Sequence, residues 1–163
     1  MKTTPTKTAF VAAILSLLFA APPRVWAQDK PADNMEVLRE KIKADKKLLI
    51  ASNMDLTESE AKNFWPIYDQ YQKDLGKINQ RMARVLDGYA DDYRNESMSD
   101  DKAKKLIDEA LAIDRAEAGL KTSYAPKLGK VLPARKVMRY LQLENKIRAV
   151  VRYDLASGVP LVK

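Results

Sequence analysis

The amino-acid sequence predicts an all-α protein with four helices. Apolar residues recur at intervals of three or four positions in several stretches between residues 35 and 158, a spacing that places them on one face of a helix. Residues that favour helix starts and helix ends separate these stretches. No stretch alternates apolar and polar residues over the length of a strand, so we expect little or no β structure.

Residues 1–27 have the features of an export signal. Lys2 and Lys7 make the start basic, and residues 10–21 are almost entirely apolar. Small side chains then stand at the two positions that a signal peptidase reads. A bilayer-spanning helix needs about 20 apolar residues, so the shorter stretch favours a cleaved signal over the alternative, an uncleaved anchor. We therefore predict a mature protein that begins near Gln28 and is located in the periplasm.

The composition argues against several chemistries. The chain has no cysteine and no histidine. It therefore lacks disulfides, thiol nucleophiles, the commonest general base and the ligands of an ordinary zinc site. It also has no glycine-rich phosphate loop and no pairing of a nucleophile with a base. We expect no catalysis, no cofactor and no metal ion.

The positive charge of the chain belongs partly to the export signal. The net charge is +7, and Lys2, Lys7 and Arg24 lie in the signal, which contains no acidic residue. Removing these three cations from +7 leaves +4. This modest charge and the predicted location argue against nucleic acid as a partner.

The mature chain is predicted to begin with a flexible arm and one helix. Residues 28–34 are polar and contain a proline, which is typical of such an arm. From Met35 to about Ala51, apolar residues mark one edge of a helix and lysines crowd the rest. We expect this helix to end ahead of Asn53 and Asp55, which favour a turn.

A capping box marks the start of the second helix. Thr57 follows Leu56, and Glu60 stands three residues after Thr57. The Thr57 side chain can accept a hydrogen bond from the amide of Glu60, and the Glu60 side chain can accept one from the amide of Thr57. The second helix is therefore expected to begin directly after Thr57.

The second helix carries a heptad-like apolar seam. Its members alternate in steps of four and three: Phe64, Tyr68, Tyr71, Leu75, Ile78, Met82, Val85 and Tyr89. This spacing is typical of a long helix that lies along another helix, and it implies an extended hairpin or a dimer. Four members are expected in the core: Phe64, Leu75, Ile78 and Met82. The tyrosines near the ends are either core or binding surface, and Pro66 predicts a kink.

The third helix is expected after a polar loop at residues 91–97. Ser99 can cap this helix, which runs towards Tyr124, and Pro126 predicts a kink or a break. An acidic cluster surrounds the loop and consists of Asp91, Asp92, Glu96, Asp100 and Asp101. The cluster lacks the glycine and the oxygen spacing of a calcium loop, so helix capping is the preferred explanation and a weak divalent site is the alternative.

The fourth helix begins at Pro133 and ends at Gly158. Proline favours the first turn of a helix, and the glycine at the end is followed by another proline. The helical domain thus covers residues 35–158. The tail of residues 159–163 is largely apolar, and it either packs back or pairs with a partner chain.

Two rows of basic residues are candidate partner-binding surfaces. They lie opposite the apolar faces of the second and fourth helices and comprise Lys73, Lys77, Arg81 and Arg84, and Arg135, Arg139 and Lys146. Such rows can attract acidic or unfolded partners by long-range steering. The alternative is a solvated helix face, which is what most charge runs are. Glu144 and Arg148, one turn apart, are predicted to form a surface ion pair.

The two helix starts resemble the paired signatures of a known family. Leu56-Thr57-x-x-Glu60, followed by aromatic residues, is similar to the first signature of the LTXXQ family of periplasmic proteins. Leu132-Pro133 lies 76 residues after Leu56, where the second signature is expected. The chain departs from the family pattern in two ways. Glu60 stands where the first signature has glutamine, and the second signature keeps only its leucine and its position.

The LTXXQ family includes the chaperone Spy, the stress adaptor CpxP and zinc-resistance-associated proteins. The resemblance implies a small cradle of two bent helical hairpins, usually paired as an antiparallel homodimer, with a concave face that meets partner proteins. It implies ATP-independent protection of unfolded or partly folded proteins. The alternative is an adaptor that binds the periplasmic domain of a sensor protein. A metal-responsive role fits poorly, because the chain has no histidine to carry over.

Overall fold

The computed structural model describes the backbone of residues 35–162 and the side chains of residues 45–162. Within this range it contains four α-helices and no strand, which confirms the predicted fold class. The helices are α1 (Met35–Met54), α2 (Glu58–Arg94), α3 (Asp100–Gly129) and α4 (Ala134–Gly158). Among the helices described here, none has the length and apolar character that crossing a membrane requires. The predicted signal, residues 1–27, and the predicted arm, residues 28–34, lie outside the described residues.

α1 is interrupted at Asp45. The backbone of this residue is extended (φ −162°, ψ 102°), and its Oδ1 accepts a hydrogen bond from the N–H of Leu48 at 3.0 Å. Asp45 therefore acts as an N-cap for the second part of α1. That part ends at Met54, three residues beyond the predicted end, and its buried side chains Leu49, Ile50 and Met54 enter the core.

The predicted capping box forms at the start of α2. The N–H of Thr57 donates to Glu60 Oε2 at 2.8 Å, and the N–H of Glu60 donates to Thr57 Oγ1 at 3.3 Å. Just before it, Asp55 adopts a left-handed conformation (φ 47°), which turns the chain from α1 into α2. α2 then continues through Pro66 without a non-helical residue.

α2 extends further than predicted. Residues 91–94, which were predicted to be part of a loop, are helical. The N–H of Asn95 still donates to the carbonyl oxygen of Asp91, at 3.1 Å, so the helical hydrogen bonding continues to this point. α3 begins after Ser99, whose Oγ accepts from the N–H of Lys102 at 3.4 Å, as predicted.

α3 passes through Pro126 and ends at Gly129. Of the two outcomes predicted for this proline, the break was wrong. A proline removes one backbone hydrogen bond from a helix, and the buried side chains of Tyr124 and Leu128 anchor both flanks in the core. Their packing keeps the helix continuous.

α4 follows directly after Pro133, which serves as the N-cap (φ −59°) rather than as a residue of the first turn. The helix ends at Gly158, as predicted. In the tail, the carbonyl oxygen of Pro160 accepts a hydrogen bond from the hydroxyl of Tyr89 at 2.7 Å. This contact places Pro160 against the far half of α2.

The four helices form one bundle. α2 and α3 make an antiparallel hairpin in which Arg81 bonds Glu109. α4 runs in the same direction as α2, whereas the part of α1 after Asp45 runs in the opposite direction, since Lys46 meets Glu144 and Asn53 meets Arg139. Lys46 of α1, Gln72 of α2 and Glu144 of α4 bond to one another where these three helices meet.

Aromatic side chains occupy the centre of the core. Tyr140 of α4 meets Phe64 and Tyr71 of α2 edge to face, at centroid distances of 5.3 and 5.8 Å. Tyr71 also meets Tyr124 of α3 at 5.2 Å. Edge-to-face packing aligns the positive ring edge with the negative ring face. Tyr68 is buried too, so Tyr68 and Tyr71 belong to the core rather than to a binding surface.

The apolar seam of α2 is buried over its first half only. Its members from Phe64 to Ile78 are buried, whereas Met82, Val85 and Tyr89 are half-buried. The prediction that Met82 belongs to the core was therefore wrong. With 37 residues α2 is about 55 Å long, and α4 with 25 residues is about 37 Å long. α2 is thus about 18 Å longer than α4, although the seam itself, from Phe64 to Tyr89, is about as long as α4.

Candidate interaction surfaces

The basic row of α2 is divided between ion pairs and open surface. Arg81 donates to both carboxylate oxygens of Glu109 on α3, at 2.8 and 3.1 Å. Lys77 pairs with Asp74 of its own helix at 2.8 Å. The other two members are exposed: Lys73 and Arg84. The row therefore joins α2 to α3 at one point and faces solvent at others.

The basic row of α4 is similarly divided. Arg139 is half-buried, and its Nε donates to the carbonyl oxygen of Asn53 at the end of α1. Carbonyls near a helix C-terminus carry partial negative charge, so this contact fastens α1 to α4. Lys146 is half-buried and engaged. Arg135 is exposed and is the member of this row most open to a partner.

The two helix-start motifs lie against each other. Lys136, which follows Leu132 by one turn, pairs with Glu60 and donates to the carbonyl oxygen of Asp55 at 2.9 Å. The hydrogen bond from Lys136 lowers the pKa of Glu60 below its ordinary value of 4.5, and the backbone N–H of Thr57 lowers it further. Sequence reasoning identified both motifs but not this contact, because spacing alone does not show which side chain bridges them.

A groove of about 480 Å³ lies where α1 ends and α4 begins. We call it the α1–α4 groove, and its lining consists of Met54, Asp55, Pro133, Arg135, Lys136, Met138, Arg139 and Gln142. Met138 is 62 % exposed despite its apolar side chain. The lining combines apolar surface with cations, so it can hold an apolar group and an anionic group side by side.

Glu144 organises a buried polar cluster. It is only 4 % exposed, and its two oxygens accept from Lys46 Nζ at 2.9 Å and from Gln72 Nε2 at 2.8 Å. The predicted surface pair of Glu144 with Arg148 was therefore wrong. Glu144 turns towards α1 and α2, whereas Arg148 pairs with Glu117 of α3. The sequence shows that two residues are one turn apart but not that other helices cover them.

Polar contacts set the register between α3 and α4. Three pairs follow one another along the interface: Lys121 with Asn145, Glu117 with Arg148, and Asp114 with Arg152. From pair to pair the residue number falls along α3 and rises along α4, so the two helices are antiparallel. Burial lowers the pKa of Arg148, and the nearby charge of Arg152 lowers it further.

Beyond the last of these pairs, exposed apolar residues lie on α3 and at the end of α4. One further step of the same spacing places Leu111 of α3 opposite Leu155 of α4, while Ile107 lies one turn before Leu111 and Val159 directly follows the last residue of α4. Ile107 and Leu111 are 57 % and 50 % exposed, and Leu155 and Val159 are also exposed. We call these four residues the distal apolar patch. Leu161 follows in the tail and is 90 % exposed.

The acidic cluster at the α2–α3 loop is held by hydrogen bonds within the chain. Asp92 accepts from Lys102 and, at 2.8 Å, from the hydroxyl of Ser97. These contacts, that of Lys102 first, lower the pKa of Asp92. Asp100 and Asp101 occupy the first turn of α3, as capping requires. Within the described part of the chain, no group of three or more acidic side chains is arranged to hold a metal ion.

No family model, curated protein or solved structure matches this chain. The resemblance to the LTXXQ family, and the homodimer that it implies, therefore stay predictions. The surface features of this chain that bear on function are its exposed apolar side chains and its exposed cations.

Proposed function

We propose that this chain is an exported binding protein that protects unfolded or partly folded proteins without ATP. The resemblance of its helix starts to the LTXXQ signatures supports this proposal, and so does an all-α fold with a long α2–α3 hairpin. The predicted absence of catalysis, cofactors and metal ions is part of the same proposal. Its place of action is the periplasm, after removal of residues 1–27.

The distal apolar patch is the observation that carries the proposal. Exposed apolar surface of this kind, on a protein that is charged elsewhere, marks a place where another molecule binds. The patch has members on α3, on α4 and in the tail, and Leu161 adds further apolar surface nearby in sequence. Unfolding proteins expose apolar side chains that such a surface can cover.

The cations of the helices support the same proposal. Lys73 and Arg84 on α2 and Arg135 on α4 are exposed, and the mature chain carries a net charge of about +4 by sequence. Surface cations raise the rate of encounter with partners of opposite charge. The apolar patch then retains the partner.

The direct test is suppression of aggregation. The purified mature protein is mixed without ATP with a chemically unfolded client, at ratios from well below to above equimolar, and light scattering is followed. We expect protection near an equimolar ratio, because each client molecule occupies one or more binding surfaces. An absence of protection at every ratio would remove the chaperone proposal.

A second candidate function is an adaptor for one folded partner, such as the periplasmic domain of a sensor protein. The α1–α4 groove favours this candidate, because it is a defined site rather than a broad surface. An adaptor would form a saturable one-to-one complex and give little protection to unrelated clients. Affinity capture from an envelope extract, combined with the aggregation assay, separates the two functions.

A further inference from the structure

The α1–α4 groove has a cationic rim and an apolar wall. Its lining contains three cations and one carboxylate, a net charge of +2. Lys136 already pairs with Glu60. Arg135 is exposed, and Arg139, whose Nε donates to the carbonyl oxygen of Asn53, keeps its other guanidinium N–H groups for an anion. The accessible apolar wall is formed by Pro133 and Met138, with the fully buried Met54 beneath them. Methionine side chains are flexible and polarisable, so they adapt to apolar groups of different shape.

The start of α4 differs from the starts of α2 and α3. α2 has Glu58 and Glu60 in its first turn, and α3 has two aspartates. The first turn of α4 has no acidic residue and no side-chain cap, and it carries Arg135 and Lys136 instead. Cations are unfavourable beside the positive end of a helix. This departure makes the groove more positive still and leaves it complementary to an anion.

We infer that the α1–α4 groove binds an extended segment of a partner protein in which an apolar side chain lies between two carboxylates. Arg135 and Arg139 are one helical turn apart, about 6 Å, so they can meet two carboxylates of one short segment. The guanidinium group matches a carboxylate with two parallel hydrogen bonds. The apolar side chain lies against Met138 and Pro133. The inference rests on the proposed function, since it names the class of segment that this protein recognises.

The size of the groove fits a short segment. A volume of about 480 Å³ lies in the range of sites that hold a small ligand or a few side chains. A polyphosphate would use the arginines but leave the apolar wall exposed to water. A purely apolar segment would leave the arginines without an anionic partner. A segment with both properties uses the whole lining.

The test measures the binding of short fluorescein-labelled peptides to the mature protein by fluorescence anisotropy. One peptide carries a leucine pair between two glutamates, the second has lysines in place of the glutamates, and the third has serines in place of the leucines. We expect saturable binding of the first peptide only, with an affinity that falls as salt is raised. Equal binding of the lysine peptide, or of the serine peptide, overturns the inference.

Matched variants locate the binding site. Arg135→Glu is expected to weaken binding of the acidic peptide about tenfold, whereas Arg115→Glu, the same charge change at an exposed position of α3 outside the groove lining, leaves it unchanged. Met138→Ser is expected to weaken binding, whereas Leu48→Ser, at an apolar position that is 66 % exposed and outside the groove lining, is not. Equal effects of the groove variants and their controls contradict the inference.

Two further outcomes have definite meanings. If Arg135→Glu changes the molecular mass in solution, the groove is an interface between copies of this chain, and the inference is overturned. If the acidic peptide binds but the protein protects no client from aggregation, the proposed function fails and the groove assignment stands. If clients are protected but the peptides are not distinguished, only the groove assignment fails.

Discussion

Single side chains hold the bundle together where helices of different direction meet. Glu144 is the clearest case, because it is nearly fully buried and joins Lys46 of α1 to Gln72 of α2. A buried carboxylate costs free energy to desolvate and is retained only with its partners in place. Removing it therefore leaves Lys46 without its ion-pair partner.

We predict that Glu144→Ala lowers the free energy of unfolding by about 2 kcal/mol. The estimate for a fully buried pair is about 3 kcal/mol or more, reduced here because the Lys46 side chain is 23 % exposed. The measurement is urea unfolding followed by circular dichroism. Asp69→Ala is the matched control, because Asp69 pairs with Lys47 in an exposed setting and its loss costs about 0.5 kcal/mol or less. Equal costs for the two variants would contradict the assigned role of Glu144.

A second prediction for a single side chain concerns the stability of the fold at low pH. Since Lys136 lowers the pKa of Glu60 in the folded protein below 4.5, this carboxylate stabilises the fold above pH 4.5. The contribution is lost as the pH falls through the folded-state pKa. Glu60→Gln keeps the capping geometry but removes the charge, so it should lower the melting temperature at pH 7 and lose this effect in strong acid. Thermal melts from pH 7 to pH 2 measure the difference.

Glu58→Gln is the control for the acid experiment. It removes a charge from the same exposed turn of α2, away from the contact that Lys136 makes with Glu60. We expect Glu58→Gln to change the melting temperature at pH 7 by less than Glu60→Gln does. The pairing with Lys136 would be refuted if Glu60→Gln lowered the melting temperature by the same amount at every pH.

At the scale of helices, α2 is held unequally along its length. Its first half packs aromatic side chains against α3 and α4, whereas Met82, Val85 and Tyr89 are half-buried. The two halves contribute differently to stability, because the free energy gained by a side chain rises with the apolar surface it removes from water.

We predict that Phe64→Ala lowers the free energy of unfolding by about 4 kcal/mol, since the side chain is fully buried and its loss leaves a cavity. Val85→Ala in the second half should cost about 1 kcal/mol or less. Urea unfolding of both variants provides the comparison. Comparable losses would mean that the far half of α2 is covered by more structure than the described residues provide.

Helix starts and fold class could be predicted from the sequence because they depend on neighbours along the chain. The capping box of Thr57 and Glu60 and the cap at Ser99 formed as expected. The predicted break at Pro126 and the core position of Met82 were wrong, because both depend on which helix lies alongside. Periodicity identifies an apolar face but not how much of it is covered.

The candidate surfaces were predicted less completely than the helices. The sequence identified the basic rows, and Arg135 is indeed exposed. It did not show that Arg81 would join α3 to α2 or that Arg139 would fasten α1. The distal apolar patch was missed, since only the register of α3 and α4 places Leu111 opposite Leu155. The spacing of the α3–α4 ion pairs, once known, is the signal that locates it.

At the scale of the whole molecule, the two ends of the bundle differ in how well their apolar side chains are buried. The end that contains α1 has the aromatic core and the α1–α4 groove, and the other end carries the distal apolar patch. A protein with stable packing at one end and exposed apolar surface at the other can bind partners without losing its own fold. This division is the physical basis of the proposed client protection.

The measurement that tests this claim most directly compares aggregation protection by the unmodified mature protein with that by the double variant Ile107→Ser, Leu111→Ser. Covering both side chains with a client contributes about 2 kcal/mol, so the variant should need about thirty times as much protein for the same protection. Leu48→Ser, an exposed apolar position outside the patch, should protect as the unmodified protein does. Protection by the double variant equal to that of the unmodified protein would contradict the claim.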